Sequence, residues 1–117
     1  MDTRASCFDV ASRFGSLIVD QDFQGACLLL SSDARYLYSS DSMKAAVEAM
    51  ISYTAGPILE FQVIEDATVE DWPAKKPGDV AVMDLALIGA GFSEAVTLTL
   101  VEESAAILIR DLTWGRP

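Results

Sequence analysis

The side chains able to move protons in this chain are carboxylates and three tyrosines, because it contains no histidine. The most conspicuous acid is Asp84, set inside the otherwise apolar run VAVMDLALIG, residues 80–89. A carboxylate in such a setting is a proton-transfer group with a raised pKa, half of a buried pair, or a charge on the open face of a strand. Asp111, in LIRDLTW, is a second acid among strand residues, and Tyr36, Tyr38 and Tyr53 can supply hydroxyls. A tyrosine beside an aspartate can polarise a carbonyl and shuttle a proton.

Other chemistries lack their residues. Cys7 and Cys27 lie in amphipathic stretches with no histidine to activate them, so both read as small hydrophobes carrying free thiols. Two cysteines are too few for a disulfide scaffold or a metal centre. The glycines of GAG, 89–91, fall between two strands rather than before a helix, unlike a phosphate loop. Glu65, Asp66, Glu70 and Asp71 lack the spacing of a calcium loop and suit a solvated strand edge. No metal and no cofactor is expected.

Charge narrows the partners. Eight Lys and Arg against eighteen Asp and Glu give a net charge of −10, and Lys75–Lys76 is the one adjacent basic pair. Nucleic acid and anionic membrane both need a basic footprint, so neither is an expected partner. An acidic surface favours solubility or attracts a basic protein. The length of 117 residues suits one domain, 1–117. No apolar stretch approaches the ~20 residues that span a bilayer. The N-terminal residues lack the continuous apolar segment of a signal peptide, which makes a cytoplasmic location the expectation.

The elements that must position these groups follow from periodicity. Residues 4–19 place Cys7, Ala11, Phe14 and Ile18 on one helical stripe. Asp22 can cap a second helix over FQGACLLLS, followed by a turn and a brief extended segment at Tyr36–Tyr38. Ser40 or Asp41 can cap a third helix to about Thr54, stopped by Gly56 and Pro57. From Leu59 the period changes to two: a strand towards Trp72 with a bulge near Asp66–Ala67, then strands 80–88, 94–101 and 106–114 with short turns between them. Three helices followed by an antiparallel meander make an α+β domain.

This order of elements resembles the nuclear transport factor 2-like superfamily, which includes ketosteroid isomerases and polyketide cyclase-like proteins. The resemblance covers nearly the whole chain. It rests on the long first helix, the segment DFQGACLLLSSDA with Asp22, Leu29, Leu30, Asp33 and Ala34, the helix DSMKAAVEAM, and the strands out to DLTWGRP. It implies a cystatin-like cone, in which a curved sheet wraps the helices, a pocket opens between them, and the other sheet face forms a homodimer interface. Such folds host enzymes, ligand binders, interaction domains and immunity proteins, so fold does not choose the activity.

Sidedness therefore decides the role of each acid. Strand alternation puts Ala81, Met83, Leu85 and Leu87 on one face, and Val96, Leu98 and Leu100 beside them, towards the helices. Asp84 falls on the other face, opposite Thr97 or Thr99. A turn centred on Glu103–Ser104 sets Leu100 against Ile107, Leu98 against Ile109, Val96 against Asp111 and Thr97 against Arg110. Strands lie about 4.8 Å apart, so Arg110 can reach across Thr97 and form a structural pair with Asp84. The same register turns Asp111 towards the helices as the pocket acid, with Tyr36, Tyr38 and Tyr53 as candidate lining residues. Trp72 and Trp114 are expected to cover apolar edges, and Arg116 to lie in a frayed terminus.

Three functions fit. One is a non-catalytic, dimeric domain binding a small apolar ligand or a protein. Another is an isomerase- or cyclase-like enzyme, which requires a deep pocket holding Asp111 within hydrogen-bond distance of a tyrosine hydroxyl. The third is an acidic immunity-type protein that neutralises a basic toxin. The missing histidine and the lack of a recognisable dyad favour the first.

Overall fold

A computed structural model describes residues 3–54 and 56–115. Arg116 lies outside them. The chain folds as helices packed on one face of a curved, four-stranded antiparallel sheet in the order β1-β2-β3-β4. Helix α1, Thr3–Val19, buries Cys7, Ala11, Phe14, Gly15 and Ile18, the stripe its 3.6-residue period dictates. Gly15 lets the helix settle on the sheet: a Cβ there would stand 2.5 Å from Cδ2 of Phe61.

Helix α2, Phe23–Cys27, is capped by Asp22, whose Oδ1 accepts the Gly25 N–H at 2.9 Å. It stops one turn short of the expected end. Leu29 and Leu30 instead run beside the last strand: Ile109 N–H donates to the Leu29 carbonyl and Ser31 N–H to the Ile109 carbonyl, each at 2.8 Å. Pairing the exposed edge of that strand, with Leu30 fully buried, outweighs another helical turn. Residues Ala34–Leu37 form a short helix, α3, rather than an extended segment. Arg35 fastens it by donating to the carbonyls of Leu30 and Leu28. The described residues thus hold four helices, not three. Helix α4, Ser40–Met50, starts at a reciprocal Ser39–Ser42 capping box and buries Met43 and Val47.

The strands are β1 Ile58–Val69, β2 Asp79–Gly89, β3 Phe92–Glu103 and β4 Ala106–Trp114. Register shifts interrupt the β1–β2 pairing between Ile64 and Val69. On the helix-facing side Ala81, Met83, Leu85, Leu87, Val96, Leu98 and Leu100 are all buried, against Phe14, Ile18, Leu30 and Met43. Trp114 packs on Phe14, ring centres 6.1 Å apart. Lys75 lies over Trp72 at 5.6 Å.

The β3–β4 hairpin corrects the sequence-based register. Its turn residues are Ser104 and Ala105, both at positive φ (52° and 65°), and Glu103 pairs with Ala106. Two successive left-handed residues match the twist of a tight hairpin, so the turn sits one residue later than expected. Leu100 then opposes Ile109, not Ile107. A bulge follows: the next pairs are Thr99 with Asp111, Leu98 with Leu112, Thr97 with Thr113 and Val96 with Trp114. Strict alternation would bury Asp111 on the same face as Ile109 and expose Leu112. The extra residue instead lets Ile109 and Leu112 both bury, and Asp111 leaves the helix-facing row.

Candidate functional site

Three regions bear on function: the helix–sheet interior, a polar groove at the β4 bulge, and the uncovered face of the sheet.

The interior is packed. A hollow between α1, α4 and the start of β1 has a volume of about 120 Å³, lined by Ile18, Val19, Phe23, Val47, Ile51 and Ile58, with Lys44 and Glu48 among its other lining residues; a smaller one of about 50 Å³ lies where Arg4 and Cys7 of α1 meet Thr68 and Val80. Pockets that enclose small-molecule ligands usually run to several hundred Å³, so these spaces suit little more than a few water-sized groups.

The groove is larger, about 430 Å³, and polar. Lys76 and Pro77, Arg110 and Asp111, and Ser31, Asp33 and Leu37 line it. Its central feature is a pair that sequence reasoning missed. Asp79, 5 % exposed, receives two hydrogen bonds from Arg110: Nε to Oδ1 at 2.7 Å and Nη2 to Oδ2 at 2.8 Å. The expected Arg110–Asp84 pair is thereby corrected, because the bulge and the later turn move Arg110 along the sheet to the start of β2. The Lys76–Asp79 turn supplies a third donor, with Lys76 N–H on Oδ2 at 2.8 Å and Gly78 at the positive φ that its turn needs. Burial raises the Asp79 pKa, but the Arg110 hydrogen bonds, the Lys76 N–H and the two cationic charges outweigh it, so the carboxyl lies below its ordinary value. Pro-Gly-Asp announced a turn; nothing in it announced a buried acid.

Asp111 borders the same groove. The Tyr38 hydroxyl donates to its Oδ1 at 2.6 Å, and the Leu112 N–H donates to the same oxygen at 3.0 Å. Burial first, then the hydrogen bond and charge of Asp111, push the Tyr38 phenol up, which keeps its proton in place near neutral pH. The pair ties the segment between α3 and α4 to β4. The structure separates the other two tyrosines from it. Tyr36 is 90 % exposed because α3 turns it outwards. Tyr53 is exposed too, donating to Glu94 and meeting the edge of Phe92. Farther along, Glu103 accepts both the N–H and the hydroxyl of Ser32, which lower its pKa. Among the described residues no three Cys, Asp or Glu side chains gather as a metal site requires.

On the uncovered face, Asp84 pairs with Ile64 on β1 and with Thr97 on β3, and Thr113 continues the row on β4. Thr97 Oγ1 donates to Asp84 Oδ1 at 2.6 Å. Around this pair stand Val82, Ala86 and Ile88 and, towards the groove, Val101 and Leu108, all half-buried; Val80, next to the register shift between Asp79 and Ala81, packs against the helix-side core instead. Both sheet edges are protected. β1 is irregular beyond Ile64 and carries exposed acids, while the middle of β4 is bridged by Leu30.

No helix among the described residues is long and apolar enough to cross a membrane. No family model, curated protein or solved structure matches the chain.

Proposed function

We propose that this chain is a non-catalytic binding domain of the nuclear transport factor 2-like type, working through the uncovered face of its sheet, which docks a protein. The carrying observation is the contrast between the two sides of the same strands. The inner side is filled by the chain's own helices, whereas the outer side presents Val82, Ala86, Ile88, Val101 and Leu108 half-buried. Strands ~4.8 Å apart and about ten residues long offer roughly 600 Å² in projection, comparable with the ~800 Å² that one partner contributes to a standard interface. The protected edges favour docking face to face over addition of a strand. Helices first and a curved meander afterwards support the family reading.

The solvatochromic dye Nile red distinguishes this surface from the interior as the place that accepts apolar matter. The expected result is dye binding that falls on Val82→Lys and is unchanged by Ile51→Phe, which fills the hollow. Loss on Ile51→Phe with no response to Val82→Lys would instead favour a small apolar ligand held inside.

The Tyr38–Asp111 contact favours a second reading, an isomerase- or cyclase-like site. It meets the distance such chemistry needs, but the surrounding groove is charged where a raised carboxylate pKa calls for an apolar one. The test is loss of turnover with preserved fold in Tyr38→Phe.

A further inference from the structure

The uncovered face has a polar centre whose electrostatics constrain what can cover it. Asp84 sits midway along β2 in the row Ile64–Asp84–Thr97–Thr113, with Val82 and Ala86 two residues away on the same strand face. Thr97 satisfies Oδ1, and among the described residues Oδ2 has no hydrogen-bond donor. The nearby cation of the sheet is committed elsewhere, since Arg110 is held by Asp79 through two hydrogen bonds.

Covering this face removes Asp84 from water. An unpaired carboxylate then costs several kcal/mol, and the cost is relieved by a cation with good hydrogen-bond geometry. A second copy docked face to face brings another Asp84 and another occupied Arg110, so it adds like charge where opposite charge is needed. A different protein can meet the requirement with one arginine or lysine projecting from an apolar surface. The net charge of −10 acts in the same direction, drawing basic partners in and holding copies of the chain apart.

We infer that the uncovered sheet face binds a separate protein that sets an arginine or lysine, flanked by apolar side chains, on Asp84. This rests on the docking-face reading above and names the chemistry of the occupant. Arginine fits best, because its fork can take Oδ2 while its flat face lies on Val82 or Ala86.

The test uses a displayed library of small three-helix proteins with one randomised face, selected against the purified chain. Binders are then measured on the wild type and on Asp84→Asn, Val82→Lys and Thr99→Arg. Asp84→Asn retains an oxygen for Thr97, and melting curves verify that each variant is folded; Thr99→Arg replaces Val82→Lys should the latter unfold. Binders enriched in Arg or Lys among apolar residues, weakened roughly tenfold or more by Asp84→Asn and lost on Val82→Lys, support the inference. Binders lost on Val82→Lys but indifferent to Asp84→Asn overturn the cation anchor while leaving the docking face standing. Binders indifferent to both, or no binders, overturn the docking face as well. Sedimentation provides the remaining arm: a wild-type dimer dissociated by Val82→Lys or Thr99→Arg identifies the occupant as a second copy and overturns the inference.

Discussion

The two faces of the sheet are built from the same strands yet obey different rules. Inwards, Met83, Leu85, Leu87, Leu98 and Leu100 are all buried against helices that leave little space. Outwards, the alternate positions of β2 and β3 hold valine, alanine, isoleucine and threonine around Asp84, with Glu60 on β1 and Asp111 on β4 towards the edges. The inner face is specified by shape and volume, so its role is spent within the fold. The outer face retains apolar area and an incompletely satisfied carboxylate, the combination expected of a surface meant to be covered. Asp79 sharpens the contrast. It too is an aspartate on β2, but it is buried, doubly bonded to Arg110 and structural, whereas Asp84 has one threonine partner and is only half-buried.

Substitutions ranked by expected effect can break this comparison. Leu98→Ala, which empties a fully buried position, should cost about 3–4 kcal/mol by denaturant unfolding. A value near zero would mean that the interior is not packed as described. Arg110→Ala strands the buried Asp79 carboxylate and should cost about 3 kcal/mol. The depressed Asp79 pKa also fixes a pH dependence: its stabilisation is present above the ordinary value of 3.8 and is lost as pH falls through the lower folded value. The stability gap between the wild type and Asp79→Asn should therefore shrink as the solution is acidified below about pH 4. A gap that widens there contradicts the pairing.

Tyr38→Phe removes one hydrogen bond to Asp111 and should cost about 1 kcal/mol in thermal or chemical melts. Asp84→Asn should be the mildest, within about 0.5 kcal/mol, because Thr97 still finds an oxygen and the position is half-exposed. A loss comparable with that of Arg110→Ala would make Asp84 a structural group like Asp79 and erase the distinction between the faces.

The parts of the fold legible in the sequence were those set by local period. The alternation in VAVMDLALIG and AVTLTLV assigned Asp84 to the face away from the leucines, and the α1 stripe followed from 3.6-residue spacing. What the sequence concealed depended on distant partners. Leu29–Ser31 has the composition of a helix end, but the bare edge of β4 recruits it. Ser104 and Ala105 adopt left-handed conformations without the glycine or asparagine that signals them, so the hairpin was placed a residue early. The bulge at Arg110 has no local marker either, yet it moves Asp111 off the helix-facing row and delivers Arg110 to Asp79. Candidate residues on β4 were thus the least legible, since two unmarked irregularities precede them.

Position-specific photo-crosslinking in the producing cells reports which side of the sheet a partner covers. A benzoylphenylalanine at Val82 or Thr99, on the uncovered face, should trap a protein larger than and different from the chain itself, and the adduct should weaken when Asp84→Asn is added. The same group at Ile51, beside the interior hollow, should trap none. An adduct from Ile51 with none from Val82 or Thr99 would contradict the account and place the function of this chain on its helical side.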